Sequence, residues 1–274
     1  MQKTFSTPQP ISLYVEIGAG AVKVHARDDT DETQVNVDGP DADQVIAEQR
    51  GDQVVVVAPH KRGGFFNSSS DLHVTVIVPS NSELVTKLGS ADLVATGSYG
   101  SARVRSGSGD VRVEDLGAES VVETGSGDIE LEDAHGDLRI KSGSGDVDVR
   151  RLRKSAVVST GSGNVTFGIT EHDVIVKSGS GDVRVAEAHT DLSVSTASGD
   201  VVVGVIREGK LKAKAVSGDV LVGVPAGVPV WTDISAVSGQ VSSTLEGTGQ
   251  PEDGQDYVEI RATTVSGDIR LEQL

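Results

Sequence analysis

A short phrase, Ser-Gly-Asp-Val with close variants, recurs along most of the chain, and no other feature limits the fold so tightly. Its acidic or amide residue stands at Asp92, Asp110, Asp128, Asp146, Asn164, Asp182, Asp200, Asp219, Gln240 and Asp268. The first six intervals are 18 residues each and the last three are 19, 21 and 28. A sustained period of this size marks a repeat architecture, in which each unit buries its apolar side only against its neighbours.

Columns counted from the Asp show what each repeat contains. The residue after it is apolar in every unit, from Leu93 and Val111 to Ile269, and the residue two further on usually is, as in Val113, Leu131, Val149, Phe167, Val185 and Val203. A second alternating set precedes the Asp: Ala102/Val104/Ser106, Leu138/Ile140/Ser142, Val174/Val176/Ser178, Leu211/Ala213/Ala215 and Ile260/Ala262/Thr264. Alternation of period two reads as strand. Arg103, Arg139, Lys141, Lys177, Lys212 and Lys214 take the opposite phase, so apolar columns face in and basic columns face out. The extra residues of the long intervals fall around 204–210, 223–228 and 243–256, in one arc between the two strands. Stacked coils confine insertions to a single surface arc in this way, whereas separate antiparallel hairpins do not.

These patterns predict an all-β fold, a single-chain parallel β-solenoid of about 18 residues per coil with two or three short strands in each. Each strand pairs with its counterpart one coil on, about 4.8 Å away, so ten coils extend roughly 45–50 Å. A right-handed β-helix is favoured, because apolar residues do not recur every six positions as in the left-handed hexapeptide coil. Ser two before the Asp and Gly one before it, with Ala91 the one exception, build a tight corner. Gly supplies a positive φ or a close backbone approach there, and Ser and Asp bond turn amides. Regular repeats occupy 84–274. Residues 1–83 form irregular coils and a cap within the same continuous domain, covering an edge that would otherwise expose unpaired amides. Leu13, Val15, Ile17, Val22 and Val24 repeat the columns with Ala21 in the place of the Asp; 33–37, 53–58 and 72–78 read as strands and 61–70 as a mobile loop.

Composition narrows the function classes. Lys+Arg 24 against Asp+Glu 41 gives a formal charge of −17, which disfavours nucleic acid and the anionic surface of a bilayer as partners. With four Phe, three Tyr and one Trp the core must be built from small aliphatic contacts, and zero Cys removes disulfides, thiol catalysis and thiolate metal sites. The opening MQKTFSTPQPISLYVEIG lacks the apolar region and cleavage site of a secretory signal, and no stretch is long and apolar enough for direct membrane insertion, so the expected location is cytoplasmic.

Candidate chemistry is sparse. If coils stack in register, Asp110, Asp128 and Asp146 form a carboxylate ladder, and calcium is the hard cation that such a ladder would take. A corner-forming role is favoured, since each repeat has one Ser-Gly-Asp corner and Asn164 and Gln240 interrupt the line. The hydroxyl column Ser106, Thr124, Ser142, Thr160, Ser178 and Thr196 faces inward, with hydroxyls bonding one another and the backbone. The six His show no metal-site pairing, and a solvated turn position is the default for each. Arg150, Arg151, Arg153 and Lys154 make the one dense basic patch, a docking candidate for an acidic partner or phosphate. Carboxylate pairs Glu114/Asp115 and Glu132/Asp133 stack at matching positions, but the scarcity of aromatic platforms argues against sugar chemistry. No catalytic residue, cofactor site or definite metal site is assigned, and the chain is not expected to be an enzyme.

The Ser-Gly-Ser-Gly-Asp-Val coils of 106–200, preceded by FSTPQPISLYVEIGAGAVKV, resemble a bacterial β-strand-repeat family of unknown function labelled putative adhesin. The resemblance covers essentially the whole chain, implies a right-handed parallel β-helix and brings no catalytic motif. The functional expectation is a non-catalytic solenoid presenting an extended acidic surface to a protein or cell-envelope component. One alternative is a self-associating scaffold, a homo-oligomer joined through the free edge of the last coil, Asp268 to Leu274; a second is a carbohydrate-active β-helix enzyme.

Overall fold

A computed structural model describes residues 1–59, 71–246 and 257–274. The expected loop at 61–70 lies outside the described residues. The fold is all-β, mostly parallel strands in two sheets, with a single 3-10 turn at Ala42–Gln44 and no α-helix among the described residues. Contacts divide the chain into two compact units, Met1–Asp137 and Leu138–Leu274.

In the first unit the chain alternates between the sheets. Glu83–Leu88, Ala102–Ser106 and Ser120–Thr124 lie side by side in one, and Asp92–Tyr99, Val111–Leu116 and Ile129–Ala134 in the other. Pairing is parallel and equivalent residues face each other: Val104 lies opposite Val122 and Val111 opposite Ile129. Each repeat thus supplies two strands. Ala21 lies opposite Asp92, which puts it in the Asp column as its neighbours predict. The start of the chain also contains antiparallel pairing that the repeat pattern does not foretell. Gln2–Ser6 runs antiparallel to Glu32–Asp38, that strand antiparallel to Asp71–Pro79, and Ile46–Arg50 antiparallel to Gln53–Val57.

The second unit has the same two-sheet alternation, with Val158 opposite Val176 and Val165 opposite Val183. Its far end departs from chain order. Val258–Ser266 is inserted between Gly209–Ser217 and Val230–Ser238, and Ile269–Gln273 between Val220–Val224 and Val241–Ser243. The final strand is therefore paired on both sides, which corrects the expectation that Asp268 to Leu274 offers a free edge. The segment from 244 to 257 is long enough for the chain to step back and slot its last repeat inside the one before it. The strands left at the sheet ends are Val230–Ser238 and Val241–Ser243.

The core is a set of stacked single-residue columns. Val104, Val122, Val158, Val176 and Val194 are fully buried from one strand set, and Val111, Ile129, Val165, Val183 and Val201 from the other. Burying each such side chain stabilises by about 1.5–3 kcal/mol. Further buried residues, Leu116 and Ala134 in the first unit and Leu152, Thr170, Ala188 and Ile206 in the second, end each strand after two consecutive outward residues. The bulky exceptions are Phe167 and Tyr99, both buried. The Tyr99 hydroxyl donates to the Val24 carbonyl at 2.8 Å, and burial pushes its pKa up.

The corner Gly is required by close approach. A Cβ on Gly181 would sit 1.9 Å from the Gly163 carbonyl oxygen, and one on Gly163 would sit 2.0 Å from that of Gly145. Neither residue has a positive φ. At these two corners stacking distance is the operative reason, while at Gly239 and Gly267 the φ is also positive, 155° and 158°.

Candidate functional site

Within each unit the Asp column ties one repeat to the next. Asp92 Oδ1 accepts the amide of Asp110 and Asp110 Oδ1 that of Asp128, both at 3.0 Å. In the second unit Asp146 accepts from Asn164 at 2.8 Å, Asn164 from Asp182 at 3.1 Å, Asp182 from Asp200 at 2.9 Å and Asp200 from Asp219 at 2.9 Å. The line then runs from Asp219 to the Asp268 amide and from Asp268 to the Gln240 amide, each 2.8 Å. One oxygen per side chain is thereby committed to a backbone N–H, and Asn164 performs the same task as its acidic neighbours. Among the described residues no group of three or more His, Asp or Glu is arranged to hold a metal ion.

The hydroxyl column faces inward and bonds its own corner. Ser106 Oγ donates to the Gly109 carbonyl at 2.8 Å and Ser142 Oγ to that of Gly145 at 2.7 Å. Thr124 accepts the Gly127 amide at 3.0 Å and Thr160 the Gly163 amide at 3.1 Å, while buried Thr196 Oγ1 has no partner. The bonds run within a repeat and not from hydroxyl to hydroxyl along the stack.

Charge is distributed unevenly over the outer faces. In the first unit Glu114 and Asp115 stand on Val111–Leu116, and Glu130, Glu132 and Asp133 on the adjacent in-register Ile129–Ala134. Arg112 bonds Glu130 at 2.6 Å and the Glu114 carboxylate accepts the Gly97 amide at 2.7 Å. His135 Nε2 lies 3.4 Å from Asp115 and 3.6 Å from Asp133, with Asp115 Oδ2 held by Ser98 Oγ at 2.8 Å. This grouping is missing from the sequence reading of the His residues. The available signal was that Asp115 and Asp133 share one column and His135 follows two places on.

In the second unit Glu187 sits between His189, at 2.8 Å, and Arg207, at 2.5 Å, and these two donors hold its pKa below the usual carboxylate range. The outer face of the strands from Leu138–Ser142 to Val258–Ser266 carries Arg139, Lys141, Lys177, Lys210, Lys212, Lys214 and Arg261. A groove of about 370 Å³ crosses this face between Ile175, Lys210, Lys212, Glu259 and Arg261. Arg150 and Lys154 are exposed, Arg151 and Arg153 are half-buried, and Leu152 between them is buried in the core.

Two sheets of mostly parallel, register-matched strands joined by Gly-Asp corners define a repeat β-protein of solenoid-like build. The chain belongs to the Toastrack family DUF4097, whose pattern matches residues 15–174 and 154–272. Among curated proteins none matches it. Solved structures similar to it include a putative adhesin from Bacteroides fragilis, 11% identical, covering 100% of this chain and 96% of that one, TM-score 0.35. Others are a putative lipid binding protein from Parabacteroides distasonis, 12% identical over 100% and 96%, TM-score 0.38, and a putative adhesin from Parabacteroides merdae, 9% identical over 100% and 95%, TM-score 0.30.

Proposed function

We propose that the chain is a non-catalytic binding scaffold of the adhesin type. Its acidic surface, centred on Glu114, Asp115, Glu130, Glu132 and Asp133 and continued by the Asp corner line, meets a cationic protein or cell-envelope component. The observation that carries this is the placement of five carboxylates on two adjacent, in-register strands. Acidic side chains grouped on one face complement a cationic surface and steer its approach. Support for a non-catalytic role is that the Asp corners, and the inward hydroxyls Ser106, Thr124, Ser142 and Thr160, are engaged by backbone. In this reading Asp110, Asp128 and Asp146 are corner residues and not calcium ligands, and Arg150, Arg151, Arg153 and Lys154 are a secondary docking patch. The coil is right-handed with 18 residues per turn, 1–83 caps the regular repeats of 84–274, and the protein acts from the cytoplasm. Among the described residues no helix is long and apolar enough to cross a membrane.

Cosedimentation of the full chain with purified bacterial envelope fractions tests the reading. Saturable binding that weakens with salt, and that falls in a Glu114→Gln/Glu132→Gln/Asp133→Asn variant, is expected. Binding that is absent, or equal in the variant, overturns it.

A further inference from the structure

The ends of the two sheets are finished differently. At the start of the chain the terminal strands run antiparallel to their neighbours and carry charge: Lys3 in Gln2–Ser6, Glu48 and Arg50 in Ile46–Arg50. The Lys3 ammonium donates to the Ala47 carbonyl at 2.7 Å. Charged, interrupted edges are how sheets avoid pairing with other molecules. The other terminal strand, Val230–Ser238, has the sequence VWTDISAVS, nine residues with one charge and no Lys, Arg or Pro. It pairs only with Val258–Ser266 among the described residues.

Its side chains are also the wrong kind for a solvated end. Trp231 is 50% exposed and Val237 75%, and in the end strand of the other sheet, Val241–Ser243, Val241 is 51% exposed. Ile234 lies opposite fully buried Ala262, and Val241 of the other sheet opposite fully buried Ile269, so each stands in a core column that stops at the end strand of its sheet. The Pro229 carbonyl accepts the Val258 amide at 2.9 Å, and Val230 lies opposite Val258. Strand alternation then turns the N–H and C=O of Val230, Thr232, Ile234 and Ala236 toward the open side.

We propose that this edge joins two copies of the chain by antiparallel strand addition, with the twofold axis at Ile234. In that register Ile234 faces Ile234, Thr232 faces Ala236, Trp231 faces Val237 and Asp233 faces Ser235. The outward-pointing groups named above form the bonded pairs. Trp231 and Val237 fall at the non-bonded positions, where side chains approach closest. Shifting the axis to Asp233 would set two carboxylates opposite each other; shifting it to Ser235 would leave Trp231 opposite Gly239, beyond the strand. A shift by one residue would turn the core columns outward. The strand is thus complementary to itself in one register. The contact is isologous and closes at two copies. It is independent of what the acidic surface binds.

Light scattering on the full chain across micromolar concentrations is the test. The expected result is a mass rising from one chain to two and no further, with a blue shift of the emission of Trp231. Thr232→Pro removes an N–H from the open side without touching the pairing to Val258–Ser266. By symmetry the dimer loses two bonds, so Kd rises about tenfold or more. Val237→Lys, at an exposed position, weakens it as well. In this Cys-free chain Ile234→Cys oxidises to a covalent dimer, and Ser193→Cys on the flat outer face does not. A wild-type monomer at every concentration, growth beyond two chains, or a dimer indifferent to both Thr232→Pro and Val237→Lys with circular dichroism unchanged overturns the proposal.

Discussion

Asp268 Oδ1 accepts the backbone amide of Gln240 at 2.8 Å, although Gln240 precedes it by 28 residues and another corner, Asp219, is bonded to Asp268 from the other side. The stacking order at this end is therefore 219, 268, 240, and the last repeat of the chain is an interior one.

Cysteine pairs check that order. Asp233 lies opposite Arg261 and Arg261 opposite Lys212. Adjacent strands are about 4.8 Å apart, within disulfide reach, and strands two apart are about 9.6 Å away, beyond it. Lys212→Cys/Arg261→Cys is expected to form an intramolecular disulfide and Asp233→Cys/Lys212→Cys to stay reduced. The reverse outcome, read by mass spectrometry after mild oxidation, would restore chain order.

Corner glycines should be intolerant for a steric reason. Gly181→Ala puts a methyl 1.9 Å from a backbone carbonyl that the stack holds in place, and overpacking of this kind costs about 1–3 kcal/mol or more. Gly51 has nothing within 4 Å and a φ of 64°, so Gly51→Ala carries only the left-handed penalty of about 1–2 kcal/mol. Denaturant unfolding of the two variants is expected to rank Gly181→Ala as the less stable.

The Asp column should need an acceptor oxygen and not a charge. Asp182→Asn, which copies Asn164, is expected to stay within about 0.5 kcal/mol of wild type, and Asp182→Ala to lose about 1–3 kcal/mol by orphaning the Asp200 amide. Millimolar calcium should leave the melting temperature of all three unchanged. A calcium-dependent rise in the wild type, lost in Asp182→Asn, would reinstate an ion ladder.

Much of this fold was legible because its columns are periodic. Counting from the Asp finds both strands, the inward hydroxyls, the corner Gly and even Ala21 opposite Asp92. What counting leaves open is which repeat each repeat stacks upon. The columns of 230–243 fit against 209–224 as well as against 258–273, and only the connection length, whose intervals of 21 and 28 residues mark the step, hints at the exchange. Leu116 and Leu152 escape a period-two search, because residues such as Glu114 and Asp115 both point outward and break the alternation. The antiparallel strands near the start obey no repeat, and the grouping of His135 with Asp115 and Asp133 spans two repeats.

Glu187 gives a pH dependence of known sign. Arg207 and His189 hold its pKa below that of the unfolded chain, so the stabilisation is present above the unfolded value and is lost as pH falls through the folded one. Glu187→Gln lacks it. The stability gap between wild type and variant is expected to be present above the unfolded glutamate value of about 4.3 and to narrow progressively as pH falls below it. A gap unchanged on acidification would mean that the ion pairs contribute nothing.

The central claim, that equivalent strands of successive repeats lie parallel and in register, is tested most directly by methyl NOEs in the second unit. Val176 lies opposite Val158 on one side and Val194 on the other, all three fully buried. The account expects strong methyl contacts from Val176 to both, at neighbouring-strand distance. Contacts to neither, or to residues offset from that register, would contradict it.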